Sequence, residues 1–123
     1  MKLREIRDIL DAEVITEEAN LEKEIKYAFA ADLLSDVLAL SRGPGALLIT
    51  GVTNPQVIYA GNAIDLGAII FVRGKQPNEA TFQLAIENQI PLLTTRYIMF
   101  EACGRLYQLG MRACIEKVKN GRG

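Results

Sequence analysis

The chain has 123 residues, half of them hydrophobic and 24% charged, which fits one folded domain and excludes a disordered charged tail or a collagen-like repeat. Its 14 lysines and arginines nearly balance 15 aspartates and glutamates, so no net field draws it to nucleic acid or to an anionic membrane, and neither is expected as a partner. Histidine is absent, which removes the usual neutral-pH base, the partner in Ser-His-Asp and Cys-His catalysis and the commonest metal ligand.

At the N-terminus, Lys2 to Leu10 places Leu3, Ile6, Ile9 and Leu10 at helical spacing between charges, an amphipathic helix. Ala12 to Thr16 reads as a short strand and Thr16 to Leu21 as a loop or helical turn. Ile25, Tyr27 and Phe29 then alternate as in a half-buried strand ending near Ala30. From Asp32 to Leu40 the residues Leu33, Leu34, Val37, Leu38 and Leu40 form a helical stripe, with Asp32 suited to the positive end of the helix dipole. Ser41-Arg42-Gly43-Pro44-Gly45 is a turn.

Ala46 to Thr50 is a short continuous apolar run after a turn, the mark of a strand covered on both faces. Thr53 or Asn54 can cap a following helix that has Pro55 in its first position and packs through Val57, Ile58, Ala60 and Ala63. Gly67 to Val72 repeats the pattern of turn glycine and apolar strand. A helix over Asn78 to Asn88 offers Phe82, Leu84, Ala85 and Ile86 to the core, and Ile90 to Thr94 is a strand entered through Pro91. Thr95 is the expected cap of a last helix, Tyr97 to Leu109, buried through Phe100, Cys103, Leu106 and Tyr107 and closed by Gly110. Residues 1–110 make the domain, and 111–123 are a helical extension or frayed tail.

Strands alternating with helices give βαβ units, hence an α/β fold: one three-layer domain with a mainly parallel sheet. Cys103 and Cys114, eleven positions apart, match neither a CxxC motif nor a zinc site and read as reduced, packed thiols. No metal and no cofactor is expected. The charged start, Met1 to Asp8, and the lack of any run near about 18 apolar residues predict neither a leader nor a membrane span, so a cytoplasmic location is expected.

Ligands of open α/β sheets bind beyond the carboxyl ends of the strands. The residues there are Asp32 after the first half-buried strand; Thr50, Thr53 and Asn54 after the next; Arg73, Gly74 and Lys75 after the third; and Thr94, Thr95 and Arg96 after the fourth. Hydroxyls, helix-start N–H groups and three cations are the ingredients of a phosphate or carboxylate site. No GxxxxGK[ST] phosphate loop occurs, and Gly43-Pro44-Gly45 precedes a strand instead of following one. Asp32 and Asp36, four apart on one expected helix face, could bind Mg²⁺ or solvate that face. Glu101 and Arg105 are spaced for an intrahelical ion pair, and with Tyr97, Phe100 and Tyr107 they form a candidate interface.

The runs LLITGVTNPQVI (Leu47 to Ile58), IFVRGK (Ile70 to Lys75), IPLLTT (Ile90 to Thr95) and MFEACGRLY (Met99 to Tyr107), with Ala31 to Val37, resemble the DRTGG domain family. Similar domains sit between CBS domains in regulated pyrophosphatases and within some phosphotransacetylases, and the fold is related to the N-terminal domain of HPr kinase/phosphorylase. Stand-alone copies accompany hydrogenase-type redox proteins. The resemblance implies a regulatory or dimer-forming module whose catalysis lies in other domains. Thr53, Asn54, Arg73, Gly74, Thr94, Thr95 and Glu101 match recurrent positions, but a literal Asp-Arg-Thr-Gly-Gly string is absent.

Three readings follow. The first is a non-enzymatic module that forms a homodimer and senses an anionic small molecule or nucleotide at the carboxyl-end loops. The second is an assembly subunit that docks a partner protein through its last helix. The third is a small Mg²⁺-dependent phosphoryl-transfer enzyme using Asp32 and Asp36.

Overall fold

The computed structural model describes residues 1–119. In chain order the elements are α1 (Leu3–Ile9), β1 (Glu13–Val14), a 3-10 turn (Glu18–Glu22), β2 (Tyr27–Ala30), α2 (Leu34–Leu40), β3 (Leu47–Thr50), α3 (Pro55–Ala63), β4 (Ala68–Phe71), α4 (Glu79–Glu87), β5 (Leu92–Thr94), α5 (Met99–Gln108) and β6 (Arg112–Ala113). The strands form one sheet in the order β1-β5-β4-β3-β2-β6, parallel except for β1, which runs antiparallel to β5. This is the expected α/β architecture.

The chain steps from β2 to β5 through adjacent strands, and right-handed crossovers therefore put α2, α3 and α4 on one face. There Val37, Val57, Ile58 and Ala85 share a core with Leu48, Ile69, Phe71 and Leu92. After β5 the direction reverses. α5 returns across the opposite face to β6, on the far side of β2, and with α1 it packs Leu3, Ile6, Leu10, Ala102 and Leu106 onto Leu47, Ile49, Ile70 and Leu93. Alternate residues of β3 and β4 serve opposite cores, so both strands read as unbroken apolar runs.

Glycine is required at position 67 by space. A Cβ there would lie 2.7 Å from the Gly45 carbonyl oxygen and 2.8 Å from Ile25 Cδ1. The close approach lets the Gly67 N–H donate to the Ala46 carbonyl at 2.7 Å, which laces the turn before β3 to the turn before β4.

Several expectations are corrected, beginning with Ala63 of α3 and Ile86 of α4, which are exposed instead of packed in the core. Helix α2 begins at Leu34, so Asp32 and Asp36 do not share a helix face. Of its apolar stripe only Val37 is fully buried, whereas Leu33 and Leu38 are exposed. Helix α5 begins at Met99 behind Ile98, not behind Thr95, and buries Ala102 and Leu106 while Phe100 is 84% and Tyr107 61% exposed. Two stripes fit the helical period there, and the smaller residues took the inner one against the sheet. The tail expected from 111 supplies the edge strand β6, and Cys114 is buried with its N–H donated to the Ala28 carbonyl at 3.0 Å. Residues 120–123 of that tail lie outside the described residues. Burial pushes the Cys103 and Cys114 thiols above the ordinary thiol range, so both stay protonated at neutral pH.

Candidate functional site

Because β2 to β5 are parallel neighbours in register, their carboxyl ends open onto one rim. Asp32, two residues past β2, reaches across to the exit of β3. Its Oδ1 accepts the Thr50 hydroxyl at 3.1 Å and the Gly51 N–H at 2.8 Å, and the Thr50 hydroxyl oxygen accepts the Val52 N–H at 3.1 Å. The carboxylate that looked suited to a helix start instead fixes the first turn of the β3 exit.

Gly51 is the meeting point of opposite charges. A Cβ placed on it would lie 3.6 Å from both Arg73 Nη2 and Asp32 Oδ1. Arg73 nevertheless forms no ion pair with Asp32 or with any other carboxylate among the described residues. The guanidinium thus borders the site with its hydrogen-bonding edge unspent.

The turn that carries Arg73 is fixed by backbone bonds. Arg73 and Gly74 have φ of 59° and 68°, and the left-handed conformation costs a non-glycine residue about 1 kcal/mol. Compensation comes from the next exit loop: the Arg73 N–H donates to the Tyr97 carbonyl at 2.9 Å, the Gly74 N–H to the Thr95 carbonyl at 2.8 Å, and the Thr94 hydroxyl to the Lys75 carbonyl at 2.8 Å. Thr95 is buried, donates its hydroxyl to the Leu10 carbonyl at 2.6 Å and accepts the Tyr97 N–H at 3.3 Å.

The sequence-derived site residues therefore divide. Thr50, Thr94 and Thr95 sit at the rim, but their hydroxyls are engaged in holding it together. Asp32, Asn54, Arg73 and Gly74 are exposed there, with Thr53 and Lys75 half-buried. Asn54 occupies the N-cap position of α3 without a side-chain cap bond. Arg96, placed by the sequence in the same exit loop as Thr95, is exposed too, and its Cγ lies 3.9 Å from where a Gly74 Cβ would be.

The candidate interface residues lie apart, on α5 and, for Tyr97, just before it. Glu101 and Arg105 form the expected pair, Nε to Oε2 2.9 Å, and the Arg105 guanidinium stacks 4.1 Å from the centre of the half-buried Tyr97 ring. Phe100 and Tyr107 stand outward, with the exposed Gly104 between them on the same helical stripe. Among the described residues no group of three acidic or cysteine side chains is placed to hold a metal, and no helix is long and apolar enough to cross a membrane.

No curated protein sequence matches the chain. A crystal structure of the CBS and DRTGG domains of the regulatory region of Clostridium perfringens pyrophosphatase, complexed with the activator diadenosine tetraphosphate, has a similar fold, with TM-score 0.61 and 19% identity over 98% of this chain and 51% of that one. This chain thus spans about half the length of that structure, and at such identity the likeness concerns the fold. Residues 5–109 match the DRTGG domain. With nearly every element from α1 to α5 inside that match, the chain belongs to the DRTGG domain family.

Proposed function

We propose that this protein is a regulatory module with no catalysis of its own, which binds an anionic metabolite or nucleotide at the carboxyl-end rim and associates with a second copy of itself. The observation that carries the ligand reading is the pair of unpaired guanidiniums, Arg73 and Arg96, with Lys75, on two exit loops joined by backbone bonds. Cations gathered at one rim without carboxylate partners favour a bound anion. Asp32 limits the anion to one that also offers a donor, because Oδ1 is engaged and Oδ2 is left to accept a ligand hydroxyl. The regulatory region with the similar fold is complexed with a nucleotide activator, which supports the same class of ligand here.

Titration calorimetry with ADP and with pyrophosphate tests this. Arg73→Ala is expected to weaken pyrophosphate binding about tenfold or more, the loss of one charge-assisted contact of about 1.5–3 kcal/mol. Equal binding in both proteins, or none in the wild type, would remove the rim from the proposal.

Self-association rests on α5, where Phe100 and Tyr107 stand on one outward stripe and are 84% and 61% exposed. Large aromatics exposed side by side on one helix face suit a contact surface. Sedimentation is expected to show a concentration-dependent dimer for the wild type and a monomer for Phe100→Asp; a wild-type monomer at all concentrations refutes pairing. The same face suits a different partner chain, the assembly-subunit reading. Phosphoryl transfer is the least supported, since Asp32 is tied to Thr50 and Gly51 and does not form a pair with Asp36 on a helix.

A further inference from the structure

Among the described residues Arg4, Arg7 and Arg105 each have a carboxylate partner, whereas Arg42, Arg73, Arg96 and Arg112 have none. The four unpaired arginines fall at two places. Arg73 and Arg96 border the rim already described. Arg42 and Arg112 lie at the other end of the sheet: Arg42 precedes β3, Arg112 opens β6, Tyr27 opens β2, and Tyr107 is in the last turn of α5.

These four side chains line one open groove of about 830 Å³, together with Glu116 and Lys117. Each arginine in it stacks on a tyrosine. The Arg42 guanidinium lies 5.5 Å from the centre of the Tyr27 ring, and that of Arg112 lies 5.7 Å from the Tyr107 ring. Stacking restrains the plane of a guanidinium and leaves the N–H groups on its edge free to donate. A groove with two such pairs, a lysine and a single acid carries both flat surfaces and an excess of positive charge. The groove thus brings two arginine–tyrosine pairs together, whereas the aromatic nearest the rim, Tyr97, stacks alone under Arg105, which is itself paired with Glu101.

We propose that this groove is a second binding site, for an anion that carries a planar ring, the chemistry of a nucleoside phosphate. The ring stacks on the Arg-Tyr pairs and the phosphates take the guanidinium edges and Lys117. Glu116 accepts from a donor on the ring or sugar. The site is independent of the rim, because none of its residues belongs to the loops after β2, β3, β4 or β5.

The test is made in the Arg73→Ala variant of the chain, where rim binding is weakened, using ADP, adenosine and pyrophosphate as probes and NMR resonances of Tyr27 and Tyr107 as the readout. ADP is expected to shift both tyrosines and to bind at least tenfold more tightly than adenosine or pyrophosphate. Adding Arg42→Ala and Arg112→Ala is expected to weaken ADP at least tenfold, and Arg112→Lys, which keeps the charge and loses the planar stack, to weaken it less. All three arginines are exposed, and an unchanged melting temperature verifies the fold of each variant. The proposal is overturned if ADP does not bind Arg73→Ala, if the Arg42 and Arg112 replacements leave its affinity unchanged, or if pyrophosphate binds as well as ADP. Groove binding that persists while wild-type pyrophosphate binding is insensitive to Arg73 would refute the rim alone.

Discussion

Replacing Phe71 by alanine is expected to lower the stability of the fold by about 3–5 kcal/mol, the usual cost of removing a buried aromatic ring. Phe71 is fully buried at the carboxyl end of β4, in the core under α2 to α4. Its backbone is paired on both sides, in register with Thr50 and Thr94, and its carbonyl accepts the Thr95 N–H at 2.9 Å. The strand is thus pinned where it stands, so neighbours such as Val57, Ile58 and Leu92 can only partly close the space left by the ring. For a domain with about 5–15 kcal/mol in total, that is a large share, and the melting temperature should fall by roughly 10–25 °C. Urea titration should show a lower midpoint with an unchanged slope. A loss below about 1 kcal/mol would contradict a closed core at this position.

Gly67→Ala is the second large effect, expected at about 2–3 kcal/mol from overpacking. The backbone at Gly67 is not in the left-handed region, so the cost is one of space. Besides the Ile25 side chain, the atoms a methyl group would meet are the Gly45 carbonyl oxygen at 2.7 Å and carbon at 2.9 Å. Both belong to backbone held by the Gly45 N–H bond to the Asp65 carbonyl at 2.8 Å, so neither can rotate away as a side chain would. Gly104→Ala serves as the control. That residue is exposed in the interior of α5 with nothing within 4 Å of the new methyl, and it should gain about 0.5–1 kcal/mol from helix propensity. Chemical denaturation of the pair separates a steric glycine from a merely permissive one; equal effects would refute the close approach of the two turns.

The strands were the most legible part of this sequence. Leu47 to Ile49 and Ala68 to Phe71 are apolar at every step because each strand faces two cores. What stayed hidden depends on contacts between distant residues. The Thr95 hydroxyl bonds to the Leu10 carbonyl, 85 positions away, and no local pattern distinguishes that from a helix cap. The two residues of β6 have no periodicity of their own and are a strand only because β2 offers them an edge. In α5 Leu106 is buried as its spacing implied, but the aromatic residues pointed to the wrong stripe: Ala102 packs inward with Leu106 while Phe100 and Tyr107 stand outward. The rim itself was visible as four exit loops rich in hydroxyls and cations; which hydroxyls were already committed was not.

Both outermost strands of the sheet, β1 and β6, are two residues long, and they run in opposite senses relative to their neighbours' common direction. Another copy trying to extend the sheet would find only a couple of rungs at either side, too few to lock a register. Growth of the sheet from the native state into ordered cross-β stacks is therefore disfavoured at both of these edges.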